Sequence, residues 1–90
     1  MDETGRRPVV PIRVAIADDH HLVREGLRLM LTRADEFEVV GEAATHAEVF
    51  DVVATTRPDV LLLDLTFPEG DALPLLRALL AQHRDLRVSS

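Results

Sequence analysis

The chain has 90 residues, no cysteine, and a formal charge of −6, from 10 basic residues (all arginine) against 16 acidic ones. Without cysteine, a disulfide framework and every thiolate metal site are excluded. The acidic balance disfavours direct nucleic-acid binding, and three phenylalanines with no tryptophan or tyrosine argue against a base-stacking platform. No apolar run approaches the ~20 residues of a membrane span, and no signal-peptide pattern opens the chain. The expectation is one small soluble domain, cytoplasmic, with no membrane partner.

Residues 1–11 carry two prolines, a glycine and mixed charges without periodicity, which predicts a loose leader. Ile12 to Ala17 is a short apolar run with β-branched residues and reads as a strand. It ends in Asp18-Asp19-His20-His21. From Leu22 the period changes to that of a helix, with Leu22, Val23, Leu27, Met30 and Leu31 on one face and Gly26 placed for close packing on a sheet. Phe37 to Gly41 reads as a second strand. Thr45 and Glu48 have the spacing of a capping box, and the helix behind them buries Val49, Phe50 and Val53. That helix must stop near Arg57, because Pro58 disfavours helical geometry in the residue before it.

Val60 to Leu63 is apolar throughout and ends in Asp64, the pattern of a central parallel strand covered on both faces. A loop follows from Leu65 to Gly70. Asp71 is placed to cap a third helix that tolerates Pro74 in its first turn and buries Leu75, Leu76, Leu79 and Leu80. Leu86 to Ser90 starts a fourth strand. The order β-α-β-α-β-α-(β) predicts right-handed crossovers and a parallel sheet with helices on both faces. In such sheets ligands bind at the carboxyl ends of strands, where strand order reverses.

Three carboxylates fall at such ends: Asp18 and Asp19 after the first strand, Asp64 after the third. If those strands are neighbours, the acids converge, and either one pKa rises or a cation enters. Hard oxygen donors favour Mg²⁺, which keeps several waters free for phosphate oxygens. A lone aspartate after a strand is more often a turn former or a cap, so the joint pattern carries the weight.

The run from Ile12 to Leu27, the segment Val39 to Ala43, and Arg57-Pro-Asp-Val-Leu-Leu-Leu-Asp-Leu-Thr-Phe-Pro68 together resemble a receiver domain of bacterial two-component response regulators. The LuxR/NarL-type subgroup, which usually carries a helix-turn-helix output domain, is the nearest in pattern. The resemblance implies a flavodoxin-like, doubly wound fold over residues 12–90. It implies that Asp64 is the phospho-acceptor, that Asp19 binds Mg²⁺ directly, and that Asp18 often acts through water. Thr66 matches the position whose backbone carbonyl completes the metal site, and whose side chain influences how fast the phosphoryl group is lost. The implied phosphoryl donor is a sensor histidine kinase or a small phosphodonor.

Several positions depart from the family pattern. His21 stands where a proline is usual. Two histidines beside two aspartates invite a transition-metal reading, but an exposed polar helix start is the preferred one. The loop Phe67-Pro-Glu-Gly70-Asp-Ala72 has shifted glycines, and Phe67 reads as a packing change. The receiver pattern has five strand–helix units, whereas this sequence reaches only the fourth strand. The family's lysine is absent and its switch Ser/Thr is not assigned to Ser89 or Ser90. Exposed apolar surface and a raw sheet edge are therefore expected, with self-association as a homo-oligomer.

Two other functions compete with the phospho-acceptor. One is a degenerate receiver that acts as a phosphorylation-independent interaction module. The other is a haloacid-dehalogenase-type phosphatase, which expects a second aspartate where Thr66 stands. The favoured expectation is a signalling module, not an enzyme.

Overall fold

A computed structural model of the protein describes residues 10–68 and 70–90. Most of the expected leader, residues 1–9, lies outside the described residues. The elements run β1 (Ile12–Ala17), α1 (His21–Thr32), β2 (Phe37–Ala43), α2 (His46–Thr56), β3 (Val60–Leu63), α3 (Leu73–Gln82) and β4 (Arg87–Ser89). All four strands are parallel, in the order β2-β1-β3-β4. From β1 the chain steps outward to β2, then crosses back over β1 to β3. That reversal places a crevice between the carboxyl ends of β1 and β3.

Alternation along β1 and β3 sorts their side chains onto two faces. Ala15 and Ala17 of β1, paired with Leu61 and Leu63 of β3, join Val49 and Val53 of α2 and Leu75 and Leu79 of α3 in the main core. The alanines let the helices sit close. Gly41 carries this furthest: a Cβ there would lie 2.8 Å from Val52 Cγ1 of α2. A register shift in β2 sets Gly41 opposite Ala15, on that same face. Val14, Ile16, Val60 and Leu62 face the other way, toward α1.

The capping box forms as expected. Glu48 N–H donates to Thr45 Oγ1 at 3.1 Å, and the Glu48 carboxylate accepts from the Ala44 amide, one residue before the cap, at 2.7 Å. Arg57 ends α2 in the left-handed region (φ 48°), which turns the chain into Pro58. Asp71 accepts from the Leu73 amide at 3.0 Å, while the N-cap of α3 is Ala72.

Three expectations need correction. On α1, Leu27 and Leu31 are half-buried, but Leu22 is 82% exposed, Met30 69% and Val23 46%. Arg24 and Arg28 turn inward instead, toward Glu42 of β2, and their ion pairs set the rotation of the helix. Gly26 is accordingly exposed with open space around it, and Gly41 is the close-packing glycine. On α3, Leu75 and Leu79 are buried, but Leu76 is only half-buried and Leu80 is exposed. That flank of α3 lines an open groove with Val88 of β4, the sheet edge among the described residues.

Candidate functional site

The β1 and β3 ends are locked together by backbone. Asp64 N–H donates to Ala17 O at 2.9 Å, and Asp18 N–H donates to Ala43 O of β2 at 3.0 Å. These bonds place Asp18, Asp19 and Asp64 at one rim. Their ligand atoms, together with His20 Nδ1, all lie within 4.8 Å of one another. Asp18 is buried; Asp19 and Asp64 are half-buried.

Each side chain is held by a visible partner. Asp64 Oδ1 accepts from the Thr66 amide at 2.9 Å and from the Thr66 hydroxyl at 2.7 Å. The Thr66 hydroxyl and amide hold the Asp64 carboxyl below the ordinary carboxylate range, with a further contribution from His20. Asp64 Oδ2 faces His20 Nδ1 at 3.8 Å. Asp18 Oδ1 accepts from both the backbone amide and the ring Nδ1 of His20, each at 2.8 Å. The hydrogen bond to Asp18, then the nearby Asp19 charge, raise the His20 pKa above 6.5. The β1–α1 loop is fastened from behind by Arg24. Its guanidinium donates to the Asp18 carbonyl at 2.6 Å and pairs with Glu42 at 3.3 Å.

The structure thus brings together Asp18, Asp19 and Asp64. Thr66 is seen through its amide and hydroxyl, both on Asp64. The two histidines separate. Both are exposed at the start of α1, as expected, but they meet different partners: His21 turns toward Glu25 at 4.0 Å, while His20 joins the acids. The adjacency Asp-Asp-His was the available signal for His20. Nothing in the sequence pointed to Arg24, which looks like any helical surface cation. Phe67 is buried against His46, ring centroids 5.0 Å apart, and anchors the loop that follows Asp64.

The donor set suits a hard cation, since three carboxylates converge on one rim. Asp19 Oδ1 is buried yet accepts no hydrogen bond among the described residues. His20 Nδ1 lies 3.1 Å from it without hydrogen-bond geometry, and a buried carboxylate oxygen so placed is costly unless a cation or water also meets it.

A parallel β2-β1-β3-β4 sheet with clustered acids at the β1 and β3 ends defines a receiver-type α/β domain. The chain belongs to the response regulator receiver domain family, whose family model matches residues 14–89. It is 43% identical over 77 residues to the uncharacterised transcriptional regulatory protein YhcZ of Bacillus subtilis, covering 86% of this chain and 36% of that one. It is also 43% identical over 76 residues to the DNA-binding transcriptional activator DevR/DosR of Mycobacterium tuberculosis, covering 84% of this chain and 35% of the relative. The chain therefore spans about a third of the length of these curated relatives. Among solved structures, the receiver domain of NarL from M. tuberculosis matches with a TM-score of 0.79 at 34% identity, over 90% of this chain and 64% of that one. The isolated receiver domain of RcsB from Salmonella enterica, solved with the phosphomimetic BeF₃⁻, matches with a TM-score of 0.79 at 28% identity, over 88% and 59%. Receiver domains bind Mg²⁺ at an acidic aspartate cluster. No helix among the described residues is long and apolar enough to cross a membrane.

Proposed function

We propose that this chain is a phospho-acceptor module that takes a phosphoryl group on Asp64 from a sensor histidine kinase or a small phosphodonor. The observation that carries the reading is the asymmetry of Asp64: one oxygen is tied to Thr66, and the other faces the acid cluster. A carboxylate is a competent nucleophile toward phosphorus when its orientation is fixed and charge is offset. The Thr66 bonds fix the rotamer, and Asp64 is ionised at neutral pH as an aspartate ordinarily is. In the transfer step an Asp64 oxygen forms a bond to phosphorus as the bond from phosphorus to the donor imidazole nitrogen breaks. The leaving imidazole takes a proton from solvent, and the product is an acyl phosphate. Asp18, Asp19, Asp64 and the Thr66 carbonyl would hold Mg²⁺, which offsets the charge of the phosphoryl oxygens.

Two of the relatives are transcriptional regulators by name, so the reading extends to control of a DNA-binding output domain in the cytoplasm. The module itself is regulatory and turns over no substrate. Exposed Leu65 and Leu80 beside β4 are where a second copy would associate. The phospho-acceptor reading is tested with beryllofluoride and Mg²⁺ in solution. Amide signals of residues 64–68 should shift in the NMR spectrum of the wild type and stay fixed in Asp64→Asn. No shift in the wild type at any Mg²⁺ concentration would defeat the reading.

A further inference from the structure

His20 stands apart from what the phospho-acceptor reading needs. Its ring is 59% exposed, so nothing packs it into place for the sake of the core. Yet Nδ1 sits 2.8 Å from Asp18 Oδ1, 3.1 Å from Asp19 Oδ1 and 3.8 Å from Asp64 Oδ2. Donors bonded to one small dication at about 2.0–2.2 Å stand roughly 3–4 Å apart around it. The separations to Asp19 and Asp64 fall in that range, and the 2.8 Å to Asp18 is a hydrogen bond that lengthens when a metal replaces the proton; the buried Asp19 Oδ1 accepts no hydrogen bond.

We propose that His20 is a nitrogen ligand of the cation site and tunes it toward first-row transition dications over Mg²⁺. The inference rests on the cation site of the phospho-acceptor reading and specifies which ions that site prefers. An imidazole nitrogen adds little for Mg²⁺, which prefers oxygen and keeps its waters, but it strengthens binding of Mn²⁺ and of the later first-row ions. His20 exchanges its hydrogen bond to Asp18 for the metal, and its Nδ1 proton leaves to solvent. The ring needs no repacking to do so. The neighbouring histidine takes no part, because His21 faces Glu25.

The test uses the protein as it stands, with Mn²⁺ as the probe. Pulsed electron paramagnetic resonance of the Mn²⁺ complex should show coupling to one imidazole nitrogen. The coupling should vanish in His20→Asn; asparagine is well suited to the N-cap position that His20 occupies without a side-chain cap hydrogen bond. It should persist in His21→Asn. Calorimetric titration should give a Mn²⁺ affinity at least about tenfold weaker in His20→Asn, with Mg²⁺ affinity within about twofold of the wild type. Mn²⁺ binding that depends on Asp19 but shows no nitrogen coupling would overturn the proposal while leaving the carboxylate site intact. Nitrogen coupling in a protein whose Asp64 takes up neither beryllofluoride nor a phosphoryl group would do the reverse. It would keep the metal ligand and remove the phospho-acceptor reading.

Discussion

The two faces of the sheet are held by different physics. On the α2 and α3 side, Val49, Val53, Leu75 and Leu79 are 0–4% exposed and meet alanines and leucines of β1 and β3. On the α1 side no helix residue is buried, and Arg24 and Arg28 pair with Glu25 and Glu42. The first face carries most of the buried apolar side chains, with Val14 and Ile16 of β1 buried on the second. The second positions a loop: Arg24 ties the carbonyl of Asp18 to β2 and sets the height of the acidic rim. Stability and site geometry are thus largely assigned to opposite faces, and each can be perturbed with limited effect on the other.

Truncating the core should give the largest effect. Leu79→Ala should cost about 2–5 kcal/mol in a denaturant melt, because the cavity lies in the packed core. Met30→Ala, on the exposed flank of α1, should change stability by no more than about 0.5 kcal/mol. Comparable losses at the two positions would erase the contrast. Gly41→Ala comes next, since its new methyl group would lie 2.8 Å from Val52 Cγ1. Overpacking of this kind costs about 1–3 kcal/mol, and a neutral substitution would show that α2 can back away.

Arg24→Ala should cost less, about 1 kcal/mol for a hydrogen bond to a charged group that is part-exposed, yet it should weaken Mg²⁺ binding measurably by calorimetry. Equal Mg²⁺ affinity in the variant would deny the α1 face its positioning role. The smallest effect is on titration. The Asp64 carboxyl is held below its ordinary value chiefly by Thr66, so its contribution to stability is present above the unfolded pKa and is lost as pH falls through the lowered folded value. In Thr66→Ala the Asp64 carboxyl pKa, followed by carbon-13 NMR, should rise toward the ordinary carboxylate value. An unchanged titration would remove Thr66 as the cause.

Much of the apolar architecture was readable in advance because it follows from periodicity. The central strand Val60–Leu63, the capping box at Thr45 and Glu48, and the stop at Arg57 before Pro58 each rest on local chemistry. Convergence of Asp18, Asp19 and Asp64 was conditional on the first and third strands being neighbours, and the β1–β3 pairing meets that condition. The rotation of α1 was not readable. Its periodicity placed Leu22 and Met30 inward, and the deciding contacts are long-range pairs from Arg24 and Arg28 to Glu42. The position of His20 was lost for a related reason. Two adjacent histidines look alike in sequence, and only the turn at the end of β1, where the His20 amide and ring both meet Asp18, distinguishes them.

The central claim is that Asp64 is the nucleophile, and its product is chemically distinctive. Treat the protein with acetyl phosphate and Mg²⁺, reduce the acyl phosphate with borohydride, and locate the reduced residue by peptide mass spectrometry. Homoserine at position 64, dependent on Mg²⁺ and on an intact Asp19, is the predicted result. Reduction at any other aspartate, or none with the wild-type chain, would contradict it.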